Sequence, residues 1–497
     1  MNRQRIIPQL LVIIVFSVGW LWADNPPLSD QSEECISCHE QIHPGIVSQW
    51  QQSRHAMVTP AQGLAKPKLQ RRISSKNIPD SLKQTAVGCF ECHGINPDKH
   101  KDTFEHNGYR IHVVVTPNDC ATCHSKEVKE YSQNLMAHAY DNLMKNSVYQ
   151  QLIHSVIGQT SEKNGSLQFA EPTQKTSADA CLYCHGTKVK VKGKVTRETD
   201  FGEMDFPVLE GWPNQGVGRI NPDGSMGSCT SCHSRHDFSI AMARKPSTCA
   251  ECHKGPDVPA YKVYQVSKHG NIYTAQHEHW NFEAVPWTVG KDFTAPTCAT
   301  CHVSLIINSD NTVIAKRTHR FNDRLGWRLF GAPYAHAHPK SPDLSIIHNK
   351  AGLPLATELD GTPVKSFLIS PEEQQKREQR MEAVCLTCHS SNWVNNHFAR
   401  LANTIKETNA NTRHATEIMQ KIWKAGLADP TNMFDEAIER EWTSLWLFYN
   451  NSTRFTSAMG GGGDYGVFAN GRYQASQNLM RLHDWLKWHL KNVKKHK

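Results

Sequence analysis

Apolar residues follow a helical period in the C-terminal part of the chain. They recur there three or four positions apart, and tryptophans are frequent among them: Ile418, Ile422, Trp423, Ile438, Trp442, Leu445, Trp446, Leu479, Leu482, Trp485, Leu486 and Trp488. This period predicts three amphipathic helices, with a break between the first two at Gly426 and Pro430. A glycine run at 460–463 precedes the last helix, whose tryptophans are expected to pack against another chain or domain. Residues 396–497 are therefore predicted to form a helical domain.

The other long apolar run lies at the N-terminus. Arg3 and Arg5 precede an apolar stretch at 6–21, and Ala23 follows as a small residue at a plausible cleavage point. This is the layout of a secretory signal peptide. Residues 1–23 are therefore predicted to be removed, and the protein is predicted to be exported to the periplasm or an equivalent compartment. An uncleaved membrane anchor is the alternative, because the run nearly reaches spanning length; no stable span is expected after cleavage.

Between these two ends of the chain, one motif of cysteine and histidine repeats eight times. All 16 cysteines fall into Cys-x-x-Cys-His motifs, and their pairs are Cys35 and Cys38, Cys89 and Cys92, Cys120 and Cys123, Cys181 and Cys184, Cys229 and Cys232, Cys249 and Cys252, Cys298 and Cys301, and Cys385 and Cys388. The histidines that follow are His39, His93, His124, His185, His233, His253, His302 and His389. Two thiols one helical turn apart reach the two vinyl groups of one haem, and the next residue ligates its iron. A zinc site or a disulfide scaffold would not need a histidine after every second cysteine.

Eight haems would also account for the composition. Only 38% of the residues are hydrophobic, and porphyrins can supply the buried apolar surface that side chains usually supply. Residues 24–395 are predicted to form an octahaem c-type cytochrome domain, mainly α, with short helices, little sheet and long loops over the haems. A strand-like run is expected at 111–115, a helix at 135–139, a surface hairpin at 188–195 and a loop insertion at 331–365. The net charge is +8, but no run of Lys and Arg suggests nucleic acid as a partner.

The histidine count limits the number of open haem irons. The chain has 28 histidines, of which eight belong to the motifs. A haem with histidine on both sides of its iron is an electron carrier, whereas a haem without the second ligand can bind substrate. The predicted second ligands are His55, His112, His138, His236, His269 and His319, with His43 as a weaker seventh. Seven ligands for eight haems would leave one iron open, and for each of these residues a surface or propionate-bonding role is the alternative.

Several sequence runs resemble one known family. These are Gly-Arg-Ile-Asn-Pro-Asp-Gly at 218–224, Ser-Arg-His at 234–236, Ser-Lys-His-Gly at 267–270 and Pro-Thr-Cys-Ala-Thr-Cys-His at 296–302. With them, the chain resembles the octahaem hydroxylamine oxidoreductases from about residue 35 to its C-terminus. That family also has a haem-free helical C-terminal part, which fits residues 396–497.

The resemblance implies a catalytic haem. The fourth haem, on Cys181, Cys184 and His185, would be five-coordinate, and the other seven would form a wire and a reservoir. The family assembles as a homotrimer, and in its oxidising members a C-terminal tyrosine bonds covalently to the catalytic haem of a neighbouring subunit. Tyr465 stands where that tyrosine would be.

The chain departs from the family at two places. The family has an Asp-His pair after Gly-Pro in its distal pocket; here Asp257 is kept and Val258 replaces the histidine. Oxidation of hydroxylamine releases protons that an imidazole accepts well and valine cannot, so Asp257 would act alone, with a pKa raised by a dry pocket. The segment 447–455 also lacks the family's His- and Arg-rich character.

Three functions follow as hypotheses. The first is an enzyme that oxidises hydroxylamine or hydrazine at the fourth haem, with Asp257 as proton acceptor and a soluble c-type cytochrome as electron partner. The second is a reductase of nitrite or a related nitrogen oxide, working in the opposite direction. A lysine as haem ligand, as in the pentahaem nitrite reductases, would have supported this hypothesis, but every motif of this chain ends in His. The third is a non-catalytic electron-transfer cytochrome.

Overall fold

The cysteine motifs themselves nucleate short helices. A computed structural model describes residues 26–461 and 463–495, so the predicted signal peptide lies outside the described residues. The helices are α1 Asp30–Ile42, α2 Pro44–Gln51, α3 Arg54–Met57, α4 Pro60–Ala65, α5 Asp80–Lys83, α6 Cys89–His93, α7 Pro117–Tyr131, α8 Ala139–Met144, α9 Ser147–Ile157, α10 Gln174–Asp179, α11 Cys181–His185, α12 Ile240–Arg244, α13 Pro246–Ala250, α14 Ala260–Val266, α15 Lys268–Gln276, α16 Cys298–His302, α17 Pro371–Cys385, α18 Ser391–Lys424, α19 Ala437–Ser444, α20 Asn450–Ala458 and α21 Arg472–Lys495. Three of them, α6, α11 and α16, coincide with a motif, since its two cysteines must lie one turn apart.

Sheet is confined to small pieces, as expected. The strands are β1 Phe104–His106, β2 Tyr109–Ile111, β3 Gln159–Lys163, β4 Ser166–Ala170, β5 Lys190–Thr199, β6 Gly202–Glu210, β7 Trp287–Thr288, β8 Ile306–Ile307, β9 Val313–Ala315, β10 Trp327–Arg328 and β11 His336–Ala337. Antiparallel pairs join β1 to β2, β3 to β4, β5 to β6 and β10 to β11, and β8 pairs with both β7 and β9. The mainly α fold is confirmed, and so is the hairpin at 188–195, which extends through β6.

Two local predictions are wrong. The strand expected at 111–115 ends at Ile111, because the following amides bond elsewhere than to a neighbouring strand. The His112 amide donates to the His93 carbonyl oxygen, and the Val113 and Val114 amides donate to the buried Asp102 carboxylate. The helix expected at 135–139 is absent, since α7 ends at Tyr131 and α8 begins at Ala139. The Asn134 side chain there accepts from the backbone N–H of Phe321 at 2.8 Å, a tertiary contact that competes with helical continuation.

The C-terminal helices contain the largest apolar core. It brings together α18, α19 and α21, and its buried members include Ala415, Met419, Ile422, Trp423, Met433, Phe434, Ile438, Trp442, Leu445, Trp446, Leu482 and Leu486. The predicted helical spacing is therefore confirmed. Trp485 packs against this core, whereas the Trp488 side chain is 62% exposed. The helix α18 begins at Ser391, so a domain boundary at 396 would lie inside it.

Two π-helical segments interrupt this part of the chain. Leu445–Tyr449 connects α19 to α20, and Tyr465–Ala469 precedes α21. Segments of this kind are rare and occur frequently at functional sites. Within the residues described, no helix is both long enough and apolar enough to cross a membrane.

A buried carboxyl in this core makes stability depend on pH. Burial, and then a hydrogen bond with Glu436, raises the pKa of Glu439 to about 9. The folded protein therefore holds a proton between about pH 4.5 and 9 that the unfolded chain releases, and the free energy of unfolding falls as pH rises through this window. Between pH 5 and pH 8 we expect the free energy of unfolding of wild type, measured by urea denaturation, to fall by more than about 1 kcal/mol relative to that of Glu439→Gln, which has no proton to release at this position.

The matched control for this prediction is Glu407→Gln on α18. Glu407 is an exposed carboxylate paired with Arg472 at 2.9 Å, and the free energy of unfolding should change by less than about 0.5 kcal/mol at either pH. Equal pH profiles for Glu439→Gln and wild type would contradict the assignment of the proton to the Glu436–Glu439 pair.

Candidate functional site

One continuous cavity connects all eight motifs. It has a volume of about 2680 Å³ and is lined mostly by apolar atoms together with cysteines or histidines from every Cys-x-x-Cys-His motif. Pockets for one small ligand usually measure about 300–1,000 Å³. A cavity several times larger, with thiols and imidazoles distributed along it, fits a series of covalently attached porphyrins better than a single ligand.

Neighbouring cysteines show the order of the motifs in space. Electrostatic interactions between cysteines of different motifs join the motifs in the order first, second, third, fifth, sixth, seventh and eighth. The cysteine pairs, in the same order, are Cys35 and Cys89, Cys92 and Cys123, Cys120 and Cys229, Cys232 and Cys249, Cys249 and Cys298, and Cys301 and Cys385. The fourth motif is a branch, because Cys184 interacts with Cys252 of the sixth. The spatial order therefore skips the fourth motif, and the first and eighth are the two ends.

Two motif histidines have one ring nitrogen fixed by the backbone. His93 Nδ1 lies 2.8 Å from the His112 carbonyl oxygen, and His185 Nδ1 lies 3.2 Å from that of Ala139. Metal-ligating histidines almost always donate their other N–H in this way, which fixes the tautomer and the ring orientation. The arrangement leaves Nε2 of His93 and His185 for an iron.

Four motif histidines have a second histidine whose ring centre lies about 6 Å away. The distances are 6.1 Å for His39 and His106, 6.3 Å for His124 and His55, 6.1 Å for His389 and His269, and 6.1 Å for His93 and His112. The last pair differs from the others, because His93 Nδ1 bonds the His112 carbonyl oxygen and His112 therefore lies on the Nδ1 side of that ring. Two imidazoles that ligate one metal ion from opposite sides at about 2 Å have ring centres ~6 Å apart, since each centre lies about 1 Å behind its nitrogen. The residues therefore fit six-coordinate haem irons at the first, third and eighth motifs.

The remaining predicted ligands lie in more varied surroundings. Burial, and then the charge of the nearby His233, lowers the pKa of His319 to about 3. His319 therefore lies close to the histidine of the fifth motif. The charge of His236 likewise acts on His93. His138 Nε2 lies 3.0 Å from the Ser132 carbonyl oxygen, which occupies one of its two possible ligand atoms.

The other two predicted ligands lie on the Nδ1 side of a motif histidine. Nδ1 of His43 lies 3.0 Å from Nδ1 of His39, so His43 can fix the orientation of that ring. His112 is fully buried and stacks on His100 at 3.6 Å, and its Nε2 lies 3.6 Å from an Asp119 oxygen. Both residues can support the rings that bind haem.

Sequence reasoning missed histidines that line the cavity, among them the half-buried His106 and the buried His338. His106 ends β1 and faces His39, and His338 follows β11 and is only 5% exposed. Neither lies one or two turns from a motif, which is the spacing that selected the candidates. A possible signal was the alternation of His336 and His338 in a Pro- and Ala-rich segment, which resembles a strand with one face turned to the cavity.

The fourth motif has a carboxylate beside it. Asp257 lines the cavity, and its charge acts on Cys181, Cys184 and His185. Burial lowers the pKa of His185, and the hydrogen bond to Ala139 and the Asp257 charge oppose this shift. The Asp257 loop is tied to the C-terminal helices, because Asn451 Nδ2 of α20 donates to the Asp257 carbonyl oxygen at 3.1 Å. Val258 lines the same cavity.

Tyr465 lies apart from this group in its own chain. It is half-buried at the start of the second π-helical segment, and the Asn470 amide lies 3.4 Å from its hydroxyl. Of the described residues of this segment, none lines the cavity. The phenol is therefore not brought to the fourth motif of the same chain.

Comparisons with known proteins match the motif-bearing parts of the chain to multihaem cytochromes. A family described as "Seven times multi-haem cytochrome CxxCH" matches residues 223–325, and "Cytochrome c554 and c-prime" matches 34–110 and 119–205. The chain is 26% identical over 434 residues to a "Probable nitrite reductase-hydroxylamine oxidoreductase fusion protein" of Kuenenia stuttgartiensis. This match covers 82% of the chain but spans only 40% of the relative's length.

Solved structures extend the likeness over nearly the whole chain. A "Hypothetical multiheme protein" is 40% identical, with a TM-score of 0.87, and the match covers 95% of this chain and 98% of that one. A reducing HAO-like protein complex of Kuenenia stuttgartiensis shares the fold, with a TM-score of 0.62 at 18% identity over 94% of this chain and 87% of that one. The motifs at 34–205 and 223–325 are thus haem-attachment sites of the c type.

Proposed function

This chain belongs to the multihaem c-type cytochromes related to the HAO-like (hydroxylamine oxidoreductase-like) proteins, and from this premise we propose that it is an exported octahaem oxidoreductase of small nitrogen compounds. In the proposal, hydroxylamine or hydrazine is oxidised at the haem of the fourth motif. The other seven haems, with histidines on both sides, carry the electrons to a soluble c-type cytochrome. Eight motifs along one cavity support the haem number.

The observation that carries the proposal is the position of Asp257. It is the carboxylate whose charge acts on all three residues of the fourth motif, and it lies on the cavity wall. A proton acceptor next to a site that binds a protonated substrate is what an oxidation needs, because electrons and protons leave the substrate together. The Cys181–His185 helix would hold the haem that binds the substrate, and the Asp257 loop supplies the proton acceptor.

The chain's own residues prepare this site for a haem. A c-type haem with one open position supplies an iron that binds the substrate nitrogen and accepts its electrons. Cys181 and Cys184 hold the porphyrin, and the Ala139 carbonyl keeps the His185 proton on Nδ1, so that Nε2 is free for the metal. Asp257 takes protons from the bound substrate, and Asn451 fixes the loop that carries Asp257.

The order of the motifs supports an electron route. Through Cys184 and Cys252, the fourth motif joins the sixth, which lies in the middle of the series between the two ends. A branch of this kind lets electrons from one substrate spread in both directions, so the seven other haems also act as a reservoir.

The proposed assembly is a homotrimer in which Tyr465 bonds to the fourth haem of a neighbouring subunit. Two features support it. Tyr465 lies away from the cavity of its own chain, so the haem it reaches would belong to another chain. The exposed apolar side chains of the last helix, Tyr473, Met480 and Trp488, offer a surface for such a neighbour.

Reduction of nitrite is the second candidate. Val258 counts against the oxidation, since the pocket lacks the imidazole that would share proton uptake with Asp257. Relatives named for nitrite reduction and for a reducing HAO-like complex point in the same direction.

Mass spectrometry of the protease-digested holoprotein tests the proposal. We expect the peptide that carries Tyr465 to be joined to the haem peptide of Cys181–His185 in wild type and in Tyr473→Phe, and to be free in Tyr465→Phe. Intact mass should show eight haems per chain. A free Tyr465 peptide in wild type, together with turnover of nitrite but not of hydroxylamine, would favour the reductase. If the protein turned over neither hydroxylamine nor nitrite, it would be a non-catalytic electron-transfer cytochrome.

A further inference from the structure

The two ends of the motif series are also its most exposed points. Cys38 of the first motif and Cys388 of the eighth are exposed, whereas the other fourteen cysteines are half-buried. Electron transfer between proteins needs a short distance between redox groups, so an exposed motif marks a place where a partner can approach. The structure offers two such places.

The charge distinguishes these two ends. Residues 26–53, which contain the first motif, include four carboxylates and no Lys or Arg, so this segment carries −4 in a chain whose net charge is +8. The four are exposed: Asp30, Glu33, Glu34 and Glu40. The helix before the eighth motif, Pro371–Cys385, mixes both signs: Glu372, Glu373, Lys376, Arg377, Glu378, Arg380 and Glu382. Only the first end is strongly acidic.

Helical spacing makes these residues neighbours along α1. Asp30, Glu34, Cys38 and Ile42 follow one another at intervals of four residues, so each lies next to the following one on a ridge that winds slowly around the helix. The Ile42 side chain is 48% exposed. Tyr109 donates to Glu34 at 2.9 Å and holds that carboxylate in place. The α1 face consists of Asp30, Glu34, Cys38 and Ile42.

We propose that the α1 face is the docking surface for a small soluble electron-transfer protein that presents positive side chains around an apolar redox edge. The proposal rests on the electron-transfer function proposed above and names its partner's chemistry. An apolar centre with charge beside it suits a small, transient interface, in which complementary charge raises the association rate rather than the affinity alone. Each encounter moves one electron: the partner's redox centre is reduced by one, this protein is oxidised by one, and no atom is exchanged.

A double variant with a matched control tests the α1 face. Asp30→Asn with Glu34→Gln removes two charges from the face, and the glutamine can still accept from Tyr109. Glu372→Gln with Glu417→Gln removes two exposed charges elsewhere. Holoproteins reduced with dithionite are mixed with oxidised mitochondrial cytochrome c, a basic probe, and the second-order rate constant is measured by stopped flow at low and high ionic strength. Binding of the oxidised holoproteins to immobilised cytochrome c is measured in parallel.

We expect the α1 variant to lower the rate constant and the binding at low ionic strength by about fivefold or more, and the control to lower them by less than twofold. At high ionic strength the difference should vanish, because salt screens exposed charges. Rates with ferricyanide, an anionic acceptor, should not fall in either variant. Equal losses in the two variants, or no loss in the α1 variant, would overturn the proposal. An unchanged rate constant in the α1 variant, combined with a lowered rate constant in Leu386→Ser at the eighth motif, would also overturn it. Dithionite bypasses the fourth haem, so a failure of hydroxylamine turnover does not affect this result.

Discussion

Asp257→Asn is expected to lower kcat for hydroxylamine oxidation by about 10²–10⁴-fold, the usual contribution of a positioned proton acceptor. The amide has nearly the same size but does not accept a proton near neutral pH. The bond from Asn451 goes to the backbone oxygen of residue 257 and is kept. The variant should therefore change proton transfer without moving the loop.

Glu251→Gln provides the matched control for Asp257→Asn. Glu251 is a carboxylate beside the same motif whose charge acts on Cys184, but unlike that of Asp257 it does not act on Cys181 or on His185. We therefore expect less than about a threefold change in kcat, since a proton acceptor must lie close to the reacting group. Binding of carbon monoxide to the reduced protein should be the same in wild type and both variants, because neither residue ligates iron. Equal kcat losses in both variants would contradict a specific role for Asp257.

The second large effect is expected at Arg454. This side chain of α20 is 0% exposed, and its guanidinium donates to four neutral acceptors: Thr408 Oγ1 at 2.9 Å, Leu329 O at 3.1 Å, Asn451 Oδ1 at 3.1 Å and Asn409 Oδ1 at 3.0 Å. Burial lowers the pKa of Arg454 to about 9. Arg454→Ala leaves a cavity and buried acceptors without donors, and should lower the free energy of unfolding by about 3–5 kcal/mol.

The measurement is the urea midpoint of the helical circular-dichroism signal of the holoprotein. Arg413→Ala on α18 is the control, since Arg413 is exposed and its pair with Glu417 is 4.0 Å long; it should change stability by less than about 0.5 kcal/mol. Arg454→Met keeps most of the volume and should lie between the two. Because Arg454 bonds Asn451, which fixes the Asp257 loop, Arg454→Met should also lower kcat where Arg413→Ala does not. Similar midpoints for Arg454→Ala and Arg413→Ala would show that the buried hydrogen bonds are not important for stability.

The sequence predicted the apolar C-terminal core well because its physics is local. Residues three and four positions apart on one helix must share a face, so Ile418 to Trp446 and Leu479 to Leu486 could be assigned to a core without knowing the fold. The π-helical segments at Leu445–Tyr449 and Tyr465–Ala469 left no such signal, since one extra residue in a turn changes the periodicity only slightly.

The second ligands of the haems were harder to predict because they come from distant parts of the chain. His106 was missed as the partner of His39 since a two-stranded hairpin, not a nearby helical turn, carries it there. His55 and His269 were selected for their sequence context, and they face the third and the eighth motifs rather than the motifs next to them in sequence.

The sequence alone determined the covalent chemistry, because the reach of two vinyl groups and one iron fixes the spacing of Cys-x-x-Cys-His within five residues. It also determined the helical C-terminal part and the acidic character of residues 26–53. Only the tertiary structure decided the order of the motifs in space, with the fourth as a branch from the sixth and the first and eighth as exposed ends. It also decided that Asp257 lies beside the fourth motif. Such contacts depend on how loops fold over the large cavity, and no local spacing encodes that path.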